Sequence, residues 1–241
     1  MSTNKFSDIK AVIFDYGGTL DTNARHWAHV LWEGFRHASV PISEAQFREA
    51  YVHAERALAK APVILPEDNF HVLLLKKVDI ETAYLVNSKA WTVEEDVRKD
   101  HVERIADYCY RYVLHILESS RKVLDTLQPK YKLVLVSNFY GNIETILKDF
   151  RLEYFEQIVE SAVVGVRKPD PAIYRLGVEA TGYPAGQVAV IGDSYTKDII
   201  PAKTVGCKAV WLKGEGWNEE TYDEKLPDAV ITDITQLTDL L

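Results

Sequence analysis

The chain has 241 residues and a formal net charge of −8, from 36 acidic and 28 basic side chains. Apolar residues make up 47% and charged residues 27%, close to the average of globular proteins, which excludes bulk disorder and collagen-like repeats. The acidic balance argues against a general affinity for nucleic acids or anionic membranes, since both need a basic surface. We therefore expect neither nucleic acid nor membrane among its partners.

Two cysteines, Cys109 and Cys207, argue against a disulfide framework, and neither lies in a C-x-x-C pair. The first eight residues hold no apolar signal core, and no run of about 18 apolar residues occurs anywhere. These features predict a cytoplasmic protein. They say nothing of its oligomeric state.

Apolar runs predict the strands in chain order. Runs rich in Val, Ile or Leu at 9–14, 132–137 and 187–191 are typical of strands buried on both faces of a parallel sheet. Weaker candidates lie at 157–162, 208–212 and 229–231. Helical patterns at 142–150, 171–181 and 197–205 alternate with the later strands. This alternation predicts βαβ units and a parallel sheet covered on both faces.

The segment between the first two strands shows only helical periodicity. Apolar side chains recur at helical spacing over 27–38 and 47–58, and a longer helix is predicted from 93 to about 118. Ser43 with Gln46, and Thr92 with Glu95, have the spacing of capping boxes. The segment 22–117 far exceeds the dozen or so residues of an ordinary crossover. We therefore predict a helical unit over 22–117 and a core domain over 1–21 and 118–241, with hinges near 21–23 and 116–120.

Polar or charged side chains follow the predicted strands at four places: Asp15, Ser137 with Asn138, Lys168, and Asp193 with Asp198. Taken alone, an aspartate before two glycines is typical of a simple turn. The carboxyl ends of parallel strands, however, meet at the edge where α/β sheets place their sites. Four such groups in order therefore predict one shared site.

These residues resemble the motifs of the haloacid dehalogenase superfamily, specifically of members with a helical cap inserted after the first core strand. The matching segments are residues 15–20, Ser137–Asn138, Lys168–Pro169, and Gly192–Asp193 with Asp198. The resemblance covers essentially the whole chain. It implies an α/β fold, with a doubly wound, Rossmann-like parallel sheet and a smaller all-helical cap domain.

The resemblance also implies a nucleophile and a metal site. Asp15 would attack phosphorus to form an aspartyl-phosphate, which water then cleaves. Carboxylate and phosphate are both anionic, so a divalent cation must neutralise their approach. The implied Mg²⁺ ligands are Asp15, the backbone carbonyl of Gly17, and Asp193. Asp198 would orient metal-bound water from outside the ligand set, or bind Lys168.

The phosphoryl group would be held by three other side chains. Ser137 would donate a hydrogen bond to a phosphoryl oxygen, with Asn138 and backbone amides nearby. Lys168 would offset charge on the phosphoryl group and on Asp15. The expected ligand is therefore a small phosphorylated substrate.

Gly17 departs from the family pattern, in which the residue two after the nucleophile is a second aspartate. That aspartate protonates the leaving oxygen and later activates water, which glycine cannot do. Activity could then be confined to good leaving groups, or another acid could substitute. Asp21, His26 and His29 are the candidates.

The sequence therefore favours a Mg²⁺-dependent phosphohydrolase acting on a small phosphorylated metabolite. Two alternatives stay open. One is a catalytically weak or non-catalytic binding or regulatory protein, supported by Gly17. The other is a metal-free haloacid dehalogenase, which the acidic pair Asp193 and Asp198 disfavours.

Overall fold

The computed structural model describes residues 5–217 and 221–241. Within these ranges a six-stranded parallel sheet has the order β3-β2-β1-β4-β5-β6. The strands are β1 (Ala11–Phe14), β2 (Lys132–Ser137), β3 (Gln157–Glu160), β4 (Val188–Gly192), β5 (Lys208–Leu212) and β6 (Ala229–Ile231). The chain starts at the centre and winds outward to each side, so the prediction of a doubly wound sheet is confirmed.

β1 lies inside the sheet, with a neighbouring strand on each edge and an apolar cluster on each face. Ala11 pairs in register with Lys132 of β2 on one side and with Val188 of β4 on the other. Its side chains alternate between two apolar clusters, with Val12 in one and Ile13 in the other. The uninterrupted apolar run of this strand follows from that double burial.

Four helices fill the segment between β1 and β2, all of which is described: α1 (Trp27–His37), α2 (Glu44–Lys60), α3 (Phe70–Asn87) and α4 (Glu95–Leu127). They pack against one another, α1 on α2 and α4, and α3 on α2 and α4. α1, α2 and α4 present apolar faces to their neighbours, as the helical periodicity predicted, whereas α3 was not predicted as a separate helix. None of the helices in the described ranges is long and apolar enough to cross a bilayer.

One of the two predicted capping boxes forms. The Ser43 hydroxyl accepts from the backbone N–H of Gln46, and the Gln46 side chain accepts from the backbone N–H of Ser43, at the start of α2. The prediction for Thr92 with Glu95 was wrong, since α4 begins at Glu95 and has no side-chain cap. The carboxylate of Glu95 instead accepts two hydrogen bonds from Arg98, at 2.8 and 2.6 Å. Glu94 takes the N-cap position, so Thr92 lies two residues before the cap.

α4 extends beyond the predicted end near residue 118 because its apolar face continues through Val123, Leu124 and Leu127. This last part packs on the C-terminal segment 234–240. Ser120 donates a hydrogen bond of 2.6 Å to the carbonyl oxygen of Leu20, which joins the helix to the chain just after β1. The predicted boundary between 117 and 118 therefore lies inside one continuous helix.

The remaining helices cover the sheet: α5 (Ile143–Asp149), α6 (Ser161–Val164), α7 (Pro171–Thr181), α8 (Ile200–Val205) and α9 (Leu237–Leu240). α7 has the predicted bounds because Asp170 caps its first turn, proline occupies the first helical position, and Gly182 ends it in the left-handed conformation. The helix predicted over 197–205 starts earlier, with a turn of π-helix over Tyr195–Ile199. That turn follows β4 directly and determines where Asp198 lies.

Candidate active site

Asp15 follows β1 at the carboxyl edge of the sheet, where its side chain is buried. One oxygen, Oδ1, accepts a hydrogen bond from Lys168 Nζ at 2.6 Å. The other, Oδ2, accepts from Thr19 Oγ1 at 3.3 Å. Burial raises the pKa of Asp15 to about 6, against the opposing effect of Lys168. The carboxylate is therefore held in place on both sides.

Lys168 lies between two carboxylates and is itself buried. Its Nζ also donates to Asp198 Oδ1 at 2.7 Å, while Asn138 holds its backbone. The backbone N–H of Lys168 donates to Asn138 Oδ1 at 2.9 Å, and Asn138 Nδ2 donates to its carbonyl at 3.1 Å. Asn138 therefore fixes the loop that carries the lysine.

Asp198 is fully engaged by hydrogen bonds. Its Oδ1 accepts from Tyr174 OH at 2.7 Å as well as from Lys168. Its Oδ2 accepts from the backbone N–H of Ser194 at 3.0 Å. These bonds leave Asp198 better suited to orient Lys168 than to act as a direct ligand.

Asp193 follows β4 and completes an acidic cluster. Oxygens of Asp15, Asp193 and Asp198 lie within 4.8 Å of one another. Thr19 links two of them, since its hydroxyl is 3.2 Å from Asp193 Oδ1 and accepts from the Asp193 backbone N–H at 3.1 Å. Burial, followed by the charges of Asp15 and Asp198, raises the pKa of Asp193 well above its usual value. The donors are all oxygens, the ligands that Mg²⁺ prefers, so the residues present fit that ion.

Ser137 ends β2 at the same carboxyl edge of the sheet, where it is buried. Its Oγ has no hydrogen-bond partner among the described residues. A buried hydroxyl without a partner is unfavourable and calls for an explanation, such as a ligand that supplies the missing bond.

Gly17 and Gly18 line the same edge but differ in their surroundings. A Cβ added at Gly17 would meet nothing within 4 Å among the described residues. Gly18 has φ +99°, and a Cβ there would lie 2.5 Å from Asp193 Oδ2. The second position therefore requires glycine for close approach, whereas the first does not.

The three candidates for a substitute acid differ in their contacts. Asp21 is buried, accepts from the backbone N–H of Gly18 and from the indole N–H of Trp27, and has its pKa raised to about 7 by burial. His26 accepts the backbone N–H of Ala28 at Nδ1, and burial lowers its pKa to about 4. His29 Nε2 lies 2.9 Å from the carbonyl oxygen of Gly216. Burial therefore gives Asp21 a pKa suited to carrying a proton near neutral pH, whereas His26 is neutral there.

Two residues that the sequence analysis did not single out support the cluster. Thr19 lies four residues after Asp15 in the matched segment, so its position near the carboxylates could have been inferred. Tyr174 faces inward from α7, where a tyrosine at helical spacing is typical of core packing. Nothing local in the sequence indicates its bond to Asp198.

A cavity of 1430 Å³ opens above the cluster. Its floor includes Asp15, Lys168 and Asp193, and its opposite wall includes Tyr51 and Lys77 of the inserted helices. Fold and site together define an α/β protein with an acidic centre at the carboxyl edge of its parallel sheet.

Comparison with known proteins gives the family. The family model for haloacid dehalogenase-like hydrolases matches residues 9–206. The chain belongs to this family.

Similarity to individual proteins is partial in sequence and extensive in fold. Glyceraldehyde 3-phosphate phosphatase from Pyrococcus furiosus is 34% identical over 132 residues, which is 53% of this chain and 55% of that protein. The chain spans about half the length of the curated relatives it matches.

Two solved structures share the fold across nearly their whole length. The HAD-hydrolase YfnB from Bacillus subtilis, bound to magnesium, has a TM-score of 0.58 at 16% identity, with 97% of this chain and 98% of that chain covered. L-2-haloacid dehalogenase from Xanthobacter autotrophicus has a TM-score of 0.60 at 18% identity, with coverage of 96% and 98%.

Proposed function

We propose that the protein is a Mg²⁺-dependent phosphohydrolase that acts on a small phosphorylated metabolite through an aspartyl-phosphate intermediate. The observation that carries the proposal is the bridge of Lys168 between Asp15 and Asp198, next to Asp193. The phosphatase relative supports a reaction at phosphorus.

Asp15 would act as the nucleophile, because it ends the central strand and faces the cavity. When bound by Asp15, Asp193 and the carbonyl of Gly17, Mg²⁺ would neutralise the charge that develops between carboxylate and phosphate. Asp198 would keep Lys168 charged and aimed at Asp15. Thr19 would hold the carboxylates of Asp15 and Asp193 in a fixed relation.

The phosphoryl group would lie against Ser137 and Lys168. The Ser137 hydroxyl gains the hydrogen bond that it lacks within the described residues. Lys168 offsets negative charge in the transition state, and one preorganised donor of this kind stabilises it by about 3 kcal/mol. Asn138 would act as a positioning residue, since both atoms of its amide group bind the backbone of Lys168.

Position 17 would not protonate the leaving oxygen, because glycine has no acidic side chain. Asp21, whose pKa burial raises to about 7, and His29 both line the cavity and are the candidate acids. The inserted helices, over residues 22–117, would form a cap that covers the site during the reaction.

The test compares turnover of an aryl phosphate with and without metal. Excess chelator is expected to abolish turnover and Mg²⁺ to restore it. Asp15→Asn should fold normally and lose activity, because an amide is a poor nucleophile. Asp8→Asn, at an exposed position outside the cavity, is the matched control and should keep full activity.

Two outcomes would contradict the proposal. Turnover that survives Asp15→Asn would exclude this nucleophile. Absence of turnover in a protein that still binds Mg²⁺ would favour the non-catalytic alternative.

A further inference from the structure

The inserted helices place a charged pair in the cavity wall opposite Asp15. Lys77 of α3 is only 6% exposed and forms an ion pair with Glu55 of α2. Its Nζ lies 4.6 Å from the centre of the Tyr51 ring, in cation–π contact. All three side chains line the cavity whose floor is formed by Asp15 and Lys168.

Both members of the pair stay charged at neutral pH. Burial alone would lower the pKa of Lys77, but Glu55 and the nearby tyrosines raise it well above its usual value. Burial would raise the pKa of Glu55, but Lys77 lowers it overall. Neighbouring Glu81 makes no hydrogen bond among the described residues, and burial raises its pKa to about 8, so it is neutral. The pair itself therefore offers one cation and one anion, with no net charge.

The pair and the loop that would hold the phosphate line the same cavity, since Asn138 and Tyr140 are among its lining residues. A phosphate monoester bound at Lys168 would therefore place its alcohol portion in the cavity that Lys77 and Glu55 also line.

Hydrogen-bonding capacity is left on both side chains. The ammonium of Lys77 has three donors, of which Glu55 takes one. The side chain of Glu55 is 39% exposed, and its Oε2 is free to accept within the described contacts. A donor beside an acceptor complements hydroxyl groups, which both donate and accept.

Other cations along the cavity are less able to select a ligand. Four of them, Lys60, Arg167, Lys197 and Lys213, are exposed, so solvent and salt screen their charges. Arg48 stacks over the Trp217 ring at 4.4 Å and pairs with Glu44 at 3.3 Å. The buried pair therefore dominates recognition at this wall.

We propose that Lys77 and Glu55 bind hydroxyl groups of the leaving alcohol, so that among alkyl monophosphates those of uncharged polyols or sugars bind more tightly than those that carry a carboxylate. A substrate carboxylate would lie next to Glu55, and this like-charge contact would weaken its binding. The inference rests on the proposed phosphohydrolase function, because that function identifies the leaving alcohol as the part of the substrate that this wall contacts.

The test uses two esters that differ in one group, glycerol 3-phosphate with a hydroxymethyl and 3-phosphoglycerate with a carboxylate. Their binding to the Asp15→Asn protein in Mg²⁺ is measured by calorimetry, so that neither is consumed. We expect glycerol 3-phosphate to bind about tenfold more tightly or better. Glu55→Gln should shift the ratio of the two affinities by about tenfold toward 3-phosphoglycerate, because the amide keeps an acceptor and loses the negative charge. Glu49→Gln, exposed on the same helix and outside the cavity, is the matched control and should leave the ratio unchanged.

The proposal is overturned if the Asp15→Asn protein, with Lys77 and Glu55 intact, binds 3-phosphoglycerate as tightly as glycerol 3-phosphate or more tightly. It is also overturned if that protein binds neither ester. An unchanged ratio in Glu55→Gln would also overturn it. Failure of the proposed function is seen separately, as absent aryl phosphate turnover by the unsubstituted protein. A preference for glycerol 3-phosphate in that case would support the polyol site alone.

Discussion

At the residue scale, the adjacent glycines 17 and 18 differ in whether the structure requires glycine at that position. Gly18 is dictated by geometry, because its positive φ and its contact with Asp193 exclude a side chain. Gly17 has open space at its Cβ and no left-handed backbone. An aspartate would fit there, so the missing carboxyl is a chemical feature of this chain rather than a steric one.

The substitution Gly17→Asp is therefore expected to raise turnover of alkyl phosphates by about 100-fold, the contribution typical of a positioned general acid. Steady-state rates on an alkyl and an aryl phosphate measure the effect. The aryl rate should change little, since an aryl oxygen leaves readily as an anion. Gly17→Asn is the matched control, because its amide has the same size and no proton to give.

In the unsubstituted protein, the same reasoning predicts rates that rise steeply as the leaving group becomes more acidic. Equal efficiency on alkyl and aryl phosphates would show that another side chain supplies the proton. Asp21→Asn would then be the variant to make, because Asp21 has the raised pKa that such an acid needs.

At the element scale, the loop after β5 joins the sheet to the inserted helices. Glu215 accepts a hydrogen bond from Arg25 Nε at 3.2 Å, and its carbonyl accepts the backbone N–H of His26 at 2.9 Å. Trp217 packs against the rings of His26 and Tyr51. The loop thus contacts both α1 and α2 and forms part of the cavity wall.

Gly214→Ala tests this junction. A Cβ at Gly214 would overlap the carbonyl oxygen of Ala24, so the loop or the start of the insert must shift. We expect a loss of about 1–3 kcal/mol in the free energy of unfolding, measured by urea denaturation, and a raised KM for phosphate esters.

Gly186→Ala is the control for Gly214→Ala, because a Cβ there meets nothing within 4 Å among the described residues. Equal stability of the two variants would mean that the loop yields without cost. The junction would then not hold the insert in place.

At the scale of the whole molecule, burial of carboxyl groups makes stability depend on metal and pH. Burial raises the pKa of Asp15 to about 6, of Asp21 to about 7 and of Glu81 to about 8. Each group binds its proton more tightly folded than unfolded, so its stabilising contribution is complete below about pH 4 and is lost as pH rises through the folded pKa. The metal-free protein should therefore become less stable between about pH 4 and pH 8.

Mg²⁺ is expected to oppose this loss, because it favours the ionised forms of Asp15 and Asp193. At a concentration about 100 times its Kd, the ion would add about 2.7 kcal/mol to the free energy of unfolding. Urea denaturation across the pH range, in Mg²⁺ and in chelator, measures the difference, which should grow as pH rises. Asp193→Asn should remove most of the stabilisation by Mg²⁺. Identical denaturation curves of the unsubstituted protein in Mg²⁺ and in chelator would contradict a metal site at this cluster.

The local sequence was sufficient for features that depend on neighbours along the chain. The apolar runs predicted all six strands within the described ranges, because a strand buried on both faces needs an unbroken apolar pattern. The parallel topology then brought Asp15, Ser137 and Asp193 to one edge, as the strand ends predicted. Ser43 also predicted its cap, because that contact spans three residues.

Other features were decided only by tertiary structure. α4 continues to Leu127 because its last turns meet the C-terminal segment, and Thr92 does not cap because the helix starts only after Glu94. The ion pair of Lys77 and Glu55 has no signature in the sequence, where each residue is typical of a solvated helix face. Burial is a property of the whole packed chain, and so are the pKa shifts and hydrogen bonds that follow from it. The chemistry of the sheet edge could therefore be inferred from the sequence, whereas the buried ion pair of the opposite wall could be identified only in the folded structure.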